Sequence, residues 1–204
     1  MRQKRVQKLT IGAVFVAILI IQSFIPYLGY IRILPGLPSI TIIPLTVALA
    51  GILLGVGFGT SIGLVWGLLS LILAYTQPGD MVSLLLFQNP LIAIVPRVAA
   101  GFVGGMIGQA AKSEKKTQAA LIYAFAGLAT SAVNTLLVIG LTSLLFMNNS
   151  AALLHSLGQS SNQAPLINIL LVALGANGVV EAIFTGFITP FIALPIKRYL
   201  IKRS

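Results

Sequence analysis

The chain has no cysteine, one histidine, one tryptophan and only three acidic side chains, Asp80, Glu114 and Glu181, in 204 residues. Without cysteine there is no disulfide and no thiolate metal site. With His155 as the lone imidazole and so few acids, most metal and hydrolytic constellations are out of reach, because each needs several such groups together. Charge of either sign is scarce: 8% of residues are charged and 57% hydrophobic, against about 25% charged in a soluble domain. So few charges cannot cover a water-facing surface. The sequence reads as an integral membrane protein of one domain.

The net charge of +10 does not point to nucleic acid, because of where the charges lie. Arg2, Lys4, Arg5 and Lys8 precede the first apolar run. Lys112, Lys115 and Lys116 separate two later runs, and Lys197, Arg198, Lys202 and Arg203 follow the last. Six spans would place all eleven on one side, leaving Arg32 opposite and Arg97 within a span. This is the positive-inside pattern, with both termini cytoplasmic. The expected fold is an all-α membrane protein, residues 1–204, with spans at about 9–28, 40–54, 58–76, 89–110, 118–146 and 166–194. A basic start before an apolar core also fits a signal peptide, but no small-residue cleavage site follows, so the first run is read as a retained helix. Gly59, Gly63 and Gly67, and likewise Gly101 with Gly105, recur four apart. That spacing lets helix backbones approach closely.

The stretch 87–108 is long enough to cross a bilayer and holds Arg97 in its middle. An arginine cannot shed its charge, and at the bilayer centre it costs about 2.5–3.5 kcal/mol on insertion scales. Such a residue faces an interior and has a partner. Asn89, Ala93 and Arg97 share one helix face, and Pro96 frees a carbonyl of the helix ladder. Thr130 and Asn134, with Ser131 beside them, form a polar stripe on the fifth span. Asn177, Glu181 and Thr185, with Ala173 on the same face, form another on the sixth. Three stripes can converge on one cavity, or they can tie helices together by hydrogen bonds worth about 0.6 kcal/mol each. Arg97 either pairs with Glu181 or meets an anionic ligand. Residue counting puts the two roughly 10 Å apart in depth, which favours the ligand. Trp66 is read as core or lipid packing, and His155 as a loop residue.

Taken together, six spans, an A-x-x-x-A step at Ala13 and Ala17, the run PSITIIPLTVALAGILLGVGFGTSIGLVWGLLS (38–70) and the run NPLIAIVPRVAAGFVGG (89–105) resemble the substrate-binding S-components of energy-coupling-factor (ECF) vitamin transporters. Within these, the N-P-L-x-x-x-x-P-R run is most similar to the pantothenate-specific branch. The resemblance implies a multi-pass protein of the bacterial cell membrane with a vitamin pocket near the outer face. Outer loops 29–39, 77–88 and 148–165 would cover that pocket. It implies Arg97, Asn134, Asn177, Gln88, Asn89, Glu181 and Thr130 as substrate-binding residues, with Arg97 on the carboxylate of pantothenate and the amides on its hydroxyls and amide. It implies that Ala13 and Ala17 contact a transmembrane coupling protein, itself bound to two cytoplasmic ATPases.

The chain has no G-x-x-x-x-G-K-[ST] phosphate loop, in keeping with a subunit that is no enzyme and needs no cofactor. The remaining readings are an S-component for folate, riboflavin, pyridoxine or hydroxymethylpyrimidine, or a structural membrane protein without ligand. Folate is also an anion, so Arg97 does not separate it from pantothenate.

Overall fold

The computed structural model describes residues 2–25, 28–31, 40–77, 86–111, 116–146 and 166–202. Arg32, Asp80, His155, most of the loop 29–39 and of the loop 77–88, and all of 148–165 lie outside them. Among the described residues the chain forms six helices: α1 Arg2–Phe24, α2 Ile43–Leu54, α3 Val56–Thr76, α4 Pro90–Gln109, α5 Lys116–Leu145 and α6 Leu166–Lys202. A single antiparallel pairing joins β1 (Tyr30–Ile31) to β2 (Ile40–Thr41), with Tyr30 opposite Thr41. The Ile42 amide extends it to the Gly29 carbonyl at 3.0 Å.

Among the described residues, five helices are long and apolar enough to cross a membrane. The second expected span is different. α2 has 12 residues, about 18 Å at 1.5 Å per residue, short of a hydrocarbon core of about 30 Å. The extended pairing takes up its first residues, and the helix starts only at Ile43, with Pro44 in the first turn where a missing N–H costs nothing. Leu45 apart, the whole of α2 is buried, so it is the central post of the bundle. Gly55 makes the turn into α3 with φ at 112°, a backbone region that glycine enters without steric cost. The Gly51 carbonyl accepts from the Gly55 amide at 3.0 Å, and the carbonyls after it run out of donors within their own helix. Gln109 donates to Gly51 and Ile52 at 3.1 and 2.8 Å, and Lys197 donates to Ile52 at 2.8 Å.

α3 and α4 meet along their glycines. A Cβ built on Gly63 would overlap the Arg97 carbonyl, one on Gly101 the Gly59 carbonyl, and one on Gly67 would stand 2.8 Å from the Ile94 Cα. On the outside the helices present large apolar side chains, such as Leu121, Phe125, Leu136, Ile183 and Phe187. This is the pattern of a protein whose solvent is lipid.

Among the described residues the interior divides into two apolar clusters. The larger joins α1, α2, α3 and the Lys116 end of α5, with Ile192 and Ala193 of α6. The smaller joins Leu86, Ile92, Val138 and Ile139, with Leu174 of α6 against it. Along α4, α5 and α6 alike, the polar residues fall between members of the two clusters. Arg97 lies between Ile92 and Ile107, Asn134 between Ala126 and Val138, and Glu181 between Leu174 and Ile192. A polar layer therefore crosses the bundle.

Candidate functional site

Arg97 is the cation of that layer, with only 3% of its surface exposed. Its place is set from both sides. Asn89 opens α4 as N-cap, its side-chain oxygen accepting from the Leu91 amide at 3.0 Å, with Pro90 in the first helical position. Proline forces the residue before it out of the helical region, and asparagine there satisfies an orphan N–H. Seven residues on, the Arg97 backbone rests against Gly63 of α3. This close seat brings the guanidinium to the side chains of that helix.

The guanidinium donates from Nη1 to the Ile92 carbonyl at 2.8 Å. Ile92 is four residues before Pro96, so its carbonyl is the one that proline deprives of an intrahelical donor. Two rings bracket the charge: Phe87, 4.2 Å from its centroid to Cζ, and Trp66, 5.1 Å. An aromatic face attracts a cation, by about 2 kcal/mol or more when desolvated. Phe87 is held by its neighbours. Gln88 reaches α3 through its amide, 3.4 Å from the Ala74 carbonyl, and its own carbonyl accepts from the Tyr75 hydroxyl at 3.1 Å.

Glu181 is buried and accepts from the Thr41 amide at 2.6 Å. The Thr41 hydroxyl in turn accepts from the Ile43 amide at 3.2 Å, in the first turn of α2. The carboxylate is thus tied to the backbone two residues ahead of α2. Arg97 and Glu181 act on each other electrostatically, and each also has a backbone partner of its own.

On α5, Thr130 is fully buried, donates to the Ala126 carbonyl at 2.7 Å and lies against Gly104 of α4. Asn134 is 6% exposed, and its Oδ1 has no hydrogen-bond partner among the described residues. The same holds for the hydroxyls of Ser131, Thr142 and Thr185. A buried polar atom left unpaired costs about 1–3 kcal/mol, so these are the atoms a polar solute would satisfy. Asn177 lies half-buried one turn before Glu181.

The seven residues singled out for substrate therefore separate by role. Arg97, Asn134, Glu181 and Asn177 belong to the polar layer. Thr130 joins helices at its edge. Gln88 and Asn89 tie the entrance of α4 to α3 and cap it. Phe87, Trp66 and Thr41 complete the surroundings of the two charges. Ala13 and Ala17 lie elsewhere, on the exposed face of α1.

A multi-helix membrane protein with a charged, aromatic-lined layer inside an apolar bundle is the class that fold and site define. The sequence model of the ECF transporter substrate-specific component matches residues 7–193. The chain belongs to that family, whose members are multi-pass proteins of the cell membrane. It is 44% identical over 109 residues to the pantothenate transporter PanT of Leuconostoc mesenteroides subsp. mesenteroides. That match covers 52% of this chain and 52% of the relative, so it spans about half of each.

Proposed function

We propose that this chain binds pantothenate within the bilayer and hands it inward as the substrate-binding subunit of an ECF importer. Its partners are a transmembrane coupling protein and two cytoplasmic ATPases, which carry out the ATP hydrolysis; the chain itself performs no chemistry. In this reading six segments cross the membrane, α2 together with the extended residues before it serving as the short one, and both termini are cytoplasmic.

The observation that carries the substrate is Arg97, a buried guanidinium in a bundle that also buries the Asn134 Oδ1 and the Ser131 and Thr185 hydroxyls without hydrogen-bond partners among the described residues. A guanidinium meets a carboxylate with two parallel N–H bonds, and pantothenate offers one carboxylate. Its two hydroxyls and amide match the chemistry of Asn134, Asn177 and Glu181. The resemblance to a pantothenate transporter supports the same choice. Gln88, Asn89 and Thr130 act on the substrate through the helices they hold. Ala13 and Ala17 form the face for the coupling protein, which their exposure on α1 supports.

The test is mass spectrometry of the small molecules released when the purified protein is denatured, followed by binding measurements across a vitamin panel. Released pantothenate is the expected result. Release of a neutral vitamin would keep the transporter role and remove the carboxylate argument. Nothing released and nothing bound would remove the function proposed here.

A further inference from the structure

We infer that Pro96 is a positioning residue for substrate, because it is what aims Arg97. The inference rests on the reading above, in which Arg97 receives the carboxylate. It begins with a missing hydrogen. In an unbroken helix the N–H of residue 96 bonds the carbonyl of residue 92. Proline has none, so the carbonyl of Ile92, a fully buried residue, is left without its helical donor. Arg97 is the next residue along and supplies the donor, from Nη1 at 2.8 Å.

The bond reaches back five residues, so it draws the side chain along α4 toward its Asn89 end. There the guanidinium enters the bracket of Phe87 and Trp66. The Arg97 backbone cannot shift to compensate, since it is seated against Gly63. One backbone defect therefore gives a long, flexible side chain a fixed direction. Arginine otherwise holds much rotamer freedom, and ordering it on binding weakens affinity.

An amide at position 96 would bond the Ile92 carbonyl itself and release Arg97 from it. Alanine in a helix interior is also far more favourable than proline, so Pro96→Ala should fold. Pro96→Ser restores the same N–H and serves as a second variant. Trp66 is the chain's only tryptophan, so its fluorescence reports directly on the cation beside it.

The experiment uses the full chain purified in detergent. It compares wild type, Pro96→Ala and Arg97→Gln by tryptophan emission without ligand. It then measures affinity for pantothenate and for its neutral alcohol, pantothenol. The expected result is an emission change in Pro96→Ala in the same sense as in Arg97→Gln. Pantothenate affinity should fall about two- to tenfold, with pantothenol affinity changing by less than about twofold. Wild-type emission in Pro96→Ala, or equal losses for both ligands, would overturn the inference. If Arg97→Gln itself leaves the preference for pantothenate over pantothenol intact, the carboxylate reading fails instead. That outcome is distinct from one in which Arg97→Gln loses the preference and Pro96→Ala keeps it.

Discussion

The seam between α3 and α4 and the seam between α5 and α6 cross the same bundle with different materials. In the first, glycines press on backbone: Gly63 on the Arg97 carbonyl, Gly101 on the Gly59 carbonyl, and a Cβ on Gly105 would stand 2.9 Å from the Val56 Cα. In the second, glycines meet threonines. Gly127 lies against the Thr189 hydroxyl, and Gly178 against the Thr135 side chain. Around that second seam lie Ser131, Asn134, Thr142 and Thr185, buried and with polar atoms that have no hydrogen-bond partner among the described residues. Two helices in backbone contact have one solution for their spacing, because packed atoms do not compress. Where threonine side chains stand between the helices, rotamer changes can adjust the fit. The division suits a binding protein: the rigid seam fixes the one group that must not move, the Arg97 charge, and the polar seam supplies atoms that a solute can pair.

Breaking the rigid seam should do the most damage. Gly63→Leu forces a side chain into the Arg97 backbone, and overpacking typically costs about 1–3 kcal/mol, more where backbone must yield. We expect little folded protein, or a thermal midpoint in detergent lowered by many degrees. A Gly63→Leu protein as stable as wild type would dissolve the contrast.

A smaller loss is expected at the joint between α6 and the start of α2. Glu181→Gln keeps an oxygen for the Thr41 amide but gives up the charge. Bonds to charged groups are worth about 1.5–3 kcal/mol and neutral ones about 0.5–1.5, so a stability loss of about 1 kcal/mol should appear in denaturant unfolding. On the polar seam, Thr185→Val removes a hydroxyl without a partner and keeps the shape. Stability should stay within about 0.5 kcal/mol of wild type or rise, while pantothenate affinity falls if the hydroxyl meets the solute. A large destabilisation would mean that this hydroxyl holds the helices after all. Least affected as an isolated protein is Ala13→Trp, since the residue is exposed. Its stability and ligand binding should match wild type, while vitamin uptake by cells is lost; normal uptake would remove α1 as the coupling face.

What the sequence revealed of this arrangement is what acts locally along the chain. Gly59, Gly63 and Gly67 announce a close-packed face by spacing alone. Pro96 announces a free carbonyl, because the missing N–H is a property of the residue. Arg97 announces an interior position, because its charge cannot face lipid. The start of α2 at Ile43, later than the spacing suggests, was hidden by Ile40, Thr41 and Ile42, which suit a strand as well as a helix. The partners were hidden too, since they come from afar: Thr41 is 140 residues from Glu181, and Trp66 reaches Arg97 only because Gly63 lets α3 and α4 touch. Asn89 did carry a local signal. An asparagine directly before proline at the head of an apolar run marks a helix cap, which is the role its side chain plays. Nothing local could have shown that Gln109 and Lys197 close the last carbonyls of α2.

The central claim is that Arg97 meets the negative charge of the substrate. It is tested most directly by titrating Arg97→Gln with pantothenate and with pantothenol, after confirming that the variant remains folded. The account predicts that pantothenate binding weakens more than tenfold, about 1.4 kcal/mol, through loss of a charge-assisted pair. Pantothenol binding should stay nearly unchanged. Equal pantothenate affinity in the folded variant would contradict it, and Arg97 would then be a structural cation held by Ile92, Phe87 and Trp66.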